Sequence, residues 1–335
     1  MRAWLLRQPQ RVEQGDPLEL AEIEEPHAGP GEIRLAVSVC GICHTDLHTV
    51  EGELVPPQLP IIPGHQVVGV VDEVGPGVTG IQPGERRGVY WLHQACGGCA
   101  PCRRGDENLC ANPRFTGLHA HGGYAEKIVV PAEYTVPIAA VFSDREAAPL
   151  LCAGIIGYRS LRLSELKPGE RLALFGFGAS AHLVIQVARH WGCDVVVYTR
   201  SEEHQRHARE LGASWAGRAG EKAPLADRAI TFAPAGWLVP YALEAVRPGG
   251  TVAINAVYMS DIPSFPYTLL YGERTLRSVA NVTRRDAEEF MQLAAEISIR
   301  TETVLYPFSD ANRALRDLKQ ARIKGAGVLQ VRPVN

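Results

Sequence analysis

The 335-residue sequence has no run of eighteen apolar residues, roughly the shortest stretch that crosses a bilayer as a helix. It also lacks an excess of positive charge, because its net charge is -3. No general attraction to nucleic acid or anionic membranes is therefore predicted. The start, MRAWLLRQPQ, holds too short an apolar run for a signal peptide, and Arg7 interrupts it. We expect a cytoplasmic protein without nucleic-acid or membrane partners.

Internal repeats and low-complexity segments are also lacking, and the chain is too long for one compact core. Up to about residue 150 the pattern is one of short strands and many turns. From about residue 153, strands alternate with helices, which predicts a mainly parallel sheet covered on both faces. We expect a β-rich domain over 1–152, an α/β domain over 153–285 and a closing segment over 286–335.

Individual elements follow from apolar spacing and turn residues. Strands are predicted at Ile33–Ile42 and Gln66–Val78, and a pair of strands joined by a turn at Tyr124–Ile138. In the second half, a strand at Arg171–Gly176 precedes a helix that Gly192 ends, and Ser201 is a candidate N-cap for the next helix.

Four of the eight cysteines lie within fifteen residues, in CGGCAPCRRGDENLC. Thiolates at two-residue spacings can converge on one tetrahedral Zn²⁺. A disulfide framework is not expected in a reducing compartment. An iron–sulfur cluster is the rival, but its common bacterial motif has a shorter last gap and a following proline. Four thiolates leave no open position, so we predict a structural zinc site, in a lobe over about 93–113. Its ligands would be Cys96, Cys99, Cys102 and Cys110.

A glycine-rich turn, GFGASA, follows the first strand of the α/β half. It fits G-x-G-x-x-G/A, in which the glycines allow a tight turn and let the backbone approach a pyrophosphate at the next helix N-terminus. Its residues are Gly176, Gly178, Ala179, Ser180 and Ala181. A structural β–α turn is the alternative, but the surrounding strand–helix–strand pattern favours dinucleotide binding.

A second set of metal-binding residue types occurs in CGICHTDLH and PGHQVVG. A catalytic zinc takes three protein ligands and keeps a fourth position for substrate. Spacing alone does not choose among the candidates. They are Cys40, Cys43, His44, His48 and His65.

These motifs, in this order, resemble the zinc-dependent alcohol dehydrogenases of the medium-chain dehydrogenase/reductase superfamily, over essentially the whole chain. The resemblance implies a GroES-like catalytic domain, a Rossmann-type doubly wound parallel sheet, and a return to the catalytic domain at the end. It implies that Cys43, His65 and Cys152 bind a catalytic zinc, which makes two Zn²⁺ per chain. Asp46 would hold His65 from behind the metal.

The same resemblance assigns roles around the reaction centre. Thr45 would contact the substrate oxygen, and His48 would end a proton relay. His44 would contact the cofactor pyrophosphate, and Trp91 would form a wall of the substrate pocket. A core tryptophan is the alternative at position 91. Gln66 departs from the family pattern, which usually has glutamate after the histidine ligand.

The cofactor depends on the end of the second Rossmann strand. NAD sites of this type place an acidic residue there, whereas this chain has Thr199, Arg200 and Ser201. Since arginine forms paired bonds to phosphate, NADP(H) is predicted over NAD(H). An alternative is that Arg200 is only a solvated surface residue.

The predicted function is a zinc-dependent alcohol dehydrogenase or aldehyde reductase acting on a small primary alcohol or aldehyde, as a homodimer or homotetramer. Three alternatives remain: a metal-free quinone or enone reductase, a polyol dehydrogenase, and a non-catalytic nicotinamide-binding zinc protein. The first would not need both cysteine sets, and a non-catalytic protein would not need a proton relay.

Overall fold

The computed structural model describes residues 1–332. These residues form two compact units. Unit 1 contains residues 1–152 together with 281–332, and unit 2 contains residues 153–280. Within residues 1–332, no helix is both long and apolar enough to cross a membrane.

Unit 1 begins with short strands and few helices. In chain order these are β1 (Arg2–Leu6), β2 (Leu18–Glu22), β3 (Glu32–Ile42), α1 (His44–Glu51), β4 (Gln66–Val74), β5 (Arg86–Val89), β6 (Leu92–Gln94), α2 (Ala100–Arg103), β7 (Arg114–Phe115), β8 (Lys127–Pro131), β9 (Thr135–Pro137) and α3 (Asp144–Pro149). A π-helical turn over Leu150–Gly154 follows α3.

Unit 2 alternates strands and helices. It contains α4 (Ile155–Ser164), β10 (Arg171–Phe175), α5 (Ala181–His190), β11 (Asp194–Tyr198), α6 (Glu202–Glu210), β12 (Trp215–Gly217), β13 (Ala226–Thr231), α7 (Leu238–Ala245), β14 (Val246–Ile254) and β15 (Thr275–Ser278). The chain then returns to unit 1 with α8 (Arg284–Glu296), β16 (Thr303–Pro307), α9 (Ala311–Lys319) and β17 (Ala326–Gln330).

The main sheet of unit 1 has the order β16-β17-β3-β4-β5-β9, and β8 also pairs with β3. Strand β3 is the organising element, because β17, β4 and β8 all pair antiparallel with it. Its apolar residues, such as Leu35 and Val37, are fully buried in the same core cluster as Val67 and Val71 of β4. The late strands β16 and β17 thus lie in the same sheet as the early strands β3, β4 and β5.

The predicted strand pair at Tyr124–Ile138 is wrong in its pairing. The segment does contain two strands, β8 and β9, with a 3-10 turn between them. They do not pair with each other, because β8 adds to β3 and β9 adds to β5. The sequence shows the alternation of apolar and polar residues that is typical of strands, but not which neighbouring strand each one pairs with.

The sheet of unit 2 is parallel throughout and has the order β12-β11-β10-β13-β14-β15. Numbered from its first strand, that order is 3-2-1-4-5-6, the dinucleotide-binding arrangement in which strand order reverses between the first and fourth strands. The predicted N-cap is present, since Ser201 Oγ accepts a hydrogen bond from the His204 backbone N–H at 3.3 Å. The predicted helix stop is present too: α5 ends at His190, and Gly192 has φ +73°.

Candidate active site

Cys43 and His65 meet because their strands are paired. The register of β3 and β4 places Gly41 opposite Gln66, so Cys43, just after β3, and His65, just before β4, lie at the same end of the paired strands. The Cys43 Sγ is 3.3 Å from His65 Nε2. Cys152 joins them from the π-helical turn after α3, and α3 packs against both strands. The three ligand atoms lie within 4.8 Å of one another.

Helix α1 begins at this point. Cys43 is its N-cap, and the Thr45 backbone N–H donates to Cys43 Sγ at 3.3 Å. Asp46 completes the capping box by accepting the Cys43 backbone N–H at 2.9 Å. The other carboxylate oxygen of Asp46 lies 3.0 Å from His65 Nδ1. This fixes the imidazole so that Nε2 faces the thiol, the usual arrangement of a metal-ligating histidine.

The three side chains shift one another's pKa values, because they are buried and in contact. Burial opposes ionisation of Cys43, yet hydrogen bonds from Cys152 and the His65 charge lower its pKa well below the ordinary value. The hydrogen bond with Cys43, aided by burial, raises the pKa of Cys152. Burial opposes protonation of His65, but the charges of Cys43 and Asp46 raise its pKa well above the ordinary value. Because metal ligation needs deprotonated groups, binding would release protons here.

The four lobe cysteines form a second cluster, with their sulfur atoms within 4.8 Å of one another. All are free thiols. Cys99 Sγ lies 3.4 Å from Cys102 Sγ, and Cys96 Sγ lies 4.0 Å from Cys102 Sγ. A tetrahedral zinc with bonds of about 2.3 Å separates its sulfurs by about 3.8 Å. Backbone hydrogen bonds, chiefly from Cys102, lower the pKa of Cys99 to about 6. The cluster fits a closed four-thiolate site.

Unit 2 carries the glycine-rich turn at the point where its strand order reverses. Gly176 has φ +91°, and a Cβ there would lie 2.9 Å from the Ala233 backbone N. Any larger residue at position 176 would therefore clash with the backbone that follows β13. No heavy atom lies within 4 Å of a Cβ placed on Gly178, which leaves its backbone accessible. Ser180 is the N-cap of α5, Ala179 precedes it, and Ala181 is fully buried. These features fit a pyrophosphate at a helix N-terminus.

Comparison with known proteins identifies the family. The family described as "Alcohol dehydrogenase GroES-like domain" matches residues 29–140, and the family described as "Zinc-binding dehydrogenase" matches residues 179–296. The chain is 47% identical over 338 residues to "Probable alcohol dehydrogenase AdhA" of Mycobacterium tuberculosis, covering 99% of this chain and 97% of the relative. The chain belongs to the zinc-dependent alcohol dehydrogenases of the medium-chain dehydrogenase/reductase family.

Two further likenesses agree. The chain is 36% identical over 326 residues to an alcohol dehydrogenase of Geobacillus stearothermophilus, covering 94% of this chain and 96% of the relative. The crystal structure of a cobalt- and zinc-bound thermostable alcohol dehydrogenase from Pyrobaculum aerophilum has a TM-score of 0.88 at 26% identity, covering 98% of this chain and 99% of that one. The predicted fold class and family are therefore confirmed, and the chain is an oxidoreductase of a zinc-binding dehydrogenase family whose members include NAD- and NADP-dependent enzymes.

Within this alcohol dehydrogenase, the remaining predicted residues occupy definite places. His44 is the exposed first residue of α1, and Thr45 is half-buried beside the Cys43 thiol. His48 lies one turn later, and its Nδ1 contacts the Glu53 carboxylate. Thr199 follows β11 and is held by its backbone N–H, which donates to Gly217 O at 2.8 Å. Arg200 is exposed, next to the Ser201 N-cap.

Trp91 lies beside the three-residue site. Its ring packs edge-on against His65, with ring centroids 5.0 Å apart. Phe115 stacks on Trp91 at 5.0 Å, and His119 packs edge-on against Phe115 at 5.3 Å. The indole therefore lies against a metal-ligand candidate, a placement that fits both a pocket wall and a core tryptophan.

Two residues of this region were not singled out from the sequence. Phe115 extends the aromatic row, and Tyr124 places its phenol oxygen 3.4 Å from Asp46 Oδ2. Neither belongs to a spacing pattern that indicates chemistry. Two cysteines left without a metal role, Cys40 and Cys193, are buried, and burial raises the pKa of both thiols. Buried thiols with raised pKa values are unreactive.

Proposed function

We propose that this chain catalyses reversible hydride transfer between a small primary alcohol or aldehyde and a nicotinamide dinucleotide. The observation that carries the proposal is the convergence of Cys43, His65 and Cys152 within 4.8 Å. Two thiols and one imidazole are a ligand set that leaves a zinc coordination position for substrate. The parallel sheet with its glycine-rich turn supplies the dinucleotide site in the same chain.

Cys43, His65 and Cys152 would hold the catalytic zinc, and the lobe cysteines a second, structural zinc. A bound zinc supplies polarisation of the substrate oxygen, which lowers the pKa of an alcohol. Asp46 orients His65 and keeps its Nε2 directed at the site, as the 3.0 Å contact to Nδ1 indicates. Trp91 would limit the width of the pocket, favouring primary alcohols and flat aldehydes.

The proton released on alcohol oxidation needs a path to solvent. We assign Thr45 Oγ1 as the group that contacts the substrate oxygen, and His48 as the end of the relay. Both lie on α1, three residues apart, so they share one face of the helix. The His48 side chain is 24% exposed, so its imidazole can exchange a proton with water.

For the cofactor, we propose that Gly176, Gly178, Ala179, Ser180 and Ala181 take the pyrophosphate and that His44 adds a basic contact. Thr199, Arg200 and Ser201 would take the 2′-phosphate of NADP(H). Glu202 and Glu203 complicate this, but both are exposed residues of the first turn of α6, where water screens their charges. We also propose 1–152 with 286–335 as the catalytic domain, 153–285 as the nucleotide-binding domain, and a homodimer or homotetramer as the assembly.

A steady-state screen of primary alcohols, secondary alcohols, polyols and aldehydes with both cofactors tests the proposal. Turnover of primary substrates supports it; exclusive turnover of polyols would favour polyol dehydrogenation, and no turnover in a two-zinc protein would favour a non-catalytic role. Arg200→Ala should lower kcat/KM for NADPH and spare NADH. Arg206→Ala is the matched control, because Arg206 is also an exposed arginine but lies within α6. It should leave kcat/KM unchanged for both NADPH and NADH.

A further inference from the structure

The Asp46 carboxylate is enclosed by four donors from three chain segments. Oδ1 accepts from His65 Nδ1 at 3.0 Å and from the Gly64 backbone N–H at 3.2 Å. Oδ2 accepts from the Cys43 backbone N–H at 2.9 Å and from the Tyr124 hydroxyl at 3.4 Å. Asp46 is only 2% exposed, so these donors replace water. One carboxylate thus ties the Cys43 and His65 segments together.

Tyr124 is the one of these four donors that lies outside the two segments carrying Cys43 and His65. It is fully buried, and its own backbone is fixed at both ends. The backbone N–H donates to Pro63 O at 3.0 Å, and the carbonyl accepts from the Trp4 N–H at 2.8 Å. Its ring presses on Gly64, where a Cβ would lie 2.4 Å from Tyr124 Cδ1. The phenol therefore has little freedom to leave Asp46.

The electrostatics keep this phenol a donor. Burial, with the Asp46 charge, raises the pKa of Tyr124 well above its ordinary value, so the hydroxyl stays protonated. Each hydrogen bond donated to Asp46 favours the charged carboxylate. If the phenol served only to fill space, its buried hydroxyl would carry a desolvation cost for no purpose.

We propose that Tyr124 is a positioning residue of the three-residue metal site: its hydroxyl fixes Asp46, which in turn orients His65 and the Cys43 backbone. The inference rests on the proposed function, because it takes Cys43, His65 and Cys152 as zinc ligands. Removing an outer partner of a metal ligand typically weakens metal binding by about 10- to 100-fold. Since the Tyr124 contact is long and acts through Asp46, the lower end, about 10-fold, is expected.

The test is Tyr124→Phe, which removes the hydroxyl and keeps the ring. The zinc-loaded protein is titrated with a chromophoric zinc chelator, and the dissociation constants of the two zinc ions are measured. The four-cysteine cluster is an internal reference, because it belongs to the same unit but has no contact with Tyr124 among the described hydrogen bonds. Zinc at the three-residue site should bind about 10-fold more weakly, while zinc in the lobe is unchanged. The visible spectrum of the Co²⁺-substituted three-residue site should also shift.

Tyr306→Phe is the matched control. Tyr306 is 5% exposed and places its hydroxyl 3.1 Å from Asp317 Oδ2, so it is a buried tyrosine facing an aspartate in unit 1, away from the metal ligands. It should leave both zinc affinities unchanged. Equal weakening of both sites in Tyr124→Phe, or the same loss at the three-residue site in Tyr306→Phe, would mean general destabilisation and would overturn the proposal.

A double-variant cycle gives an independent readout. In an Asp46→Ala background, Tyr124→Phe should have no further effect on zinc affinity, because the acceptor of the Tyr124 hydroxyl is gone. Additive losses would overturn the positioning role. A native protein that binds zinc in the lobe and none at the three-residue site would instead overturn the proposed function.

Discussion

Gly64 precedes His65 in a left-handed backbone conformation, so Gly64→Ala tests both the packing of this turn and the proposed zinc site. Its φ is +97°, a conformation that costs an alanine roughly 1–2 kcal/mol. A Cβ there would also lie 2.4 Å from Tyr124 Cδ1 and 2.8 Å from Cys40 Sγ. Both neighbours are fully buried, and overpacking a closed core typically costs about 1–3 kcal/mol. The free energy of unfolding should fall by about 2–5 kcal/mol in all.

Gly77→Ala separates the two contributions. Gly77 has φ +82°, but no heavy atom lies within 4 Å of a Cβ placed on it, so only the backbone cost applies. For a cooperative unit of about 200 residues, each kcal/mol lowers Tm by roughly 2–4 °C. Gly64→Ala should therefore melt about 2–12 °C below Gly77→Ala. It should also lose one zinc per chain, since Gly64 precedes His65 and donates to Asp46.

Differential scanning calorimetry and metal analysis of both variants provide the measurement. If Gly64→Ala and Gly77→Ala melt together, the packing of Tyr124 and Cys40 around Gly64 is not as described. If Gly64→Ala keeps both zinc ions, the coupling of this turn to the metal site is refuted.

Three further variants test other parts of the account. Cys99→Ser should lower Tm and reduce zinc by one per chain, with turnover of the remaining folded protein retained; a folded variant with both zinc ions contradicts this. His93→Phe should reduce the pH dependence of the free energy of unfolding. His93 is buried and its pKa is lowered to about 4 from 6.5, so the free energy of unfolding of the native protein should fall by roughly 3 kcal/mol between pH 6.5 and 4. Urea unfolding at both pH values should show a smaller fall in the variant. Gln66→Glu adds a buried carboxylate beside His65 and should raise the apparent pKa of alcohol oxidation in the pH–rate profile; an unchanged or lowered value counts against it.

Much of the fold could be predicted because local and global signals agree. The strand at Ile33–Ile42, the helix before Gly192 and the Ser201 cap each have a clear pattern, and the structure contains β3, α5 and α6 at these places. The partners of β8 and β9 could not be predicted, because alternation specifies which face is buried but not which strand covers it.

The candidate site also has parts that the sequence predicts and parts that it does not. Cys43 and His65 occur in motifs, but their approach depends on the β3–β4 register, which places residues 22 apart in sequence within 3.3 Å. Cys152 arrives from a π-helical turn that no apolar spacing marks. Tyr124 and Phe115 act through tertiary contacts alone, so sequence spacing carries no signal for them.

We propose that Cys43, His65 and Cys152 hold a zinc required for hydride transfer. The most direct test is single-turnover oxidation of a primary alcohol by Cys43→Ala, with metal content and cofactor dissociation constant measured on the same sample. We predict one zinc per chain, no hydride transfer and a cofactor dissociation constant equal to that of the native protein. A Cys43→Ala variant that transfers hydride at the native rate would contradict the account.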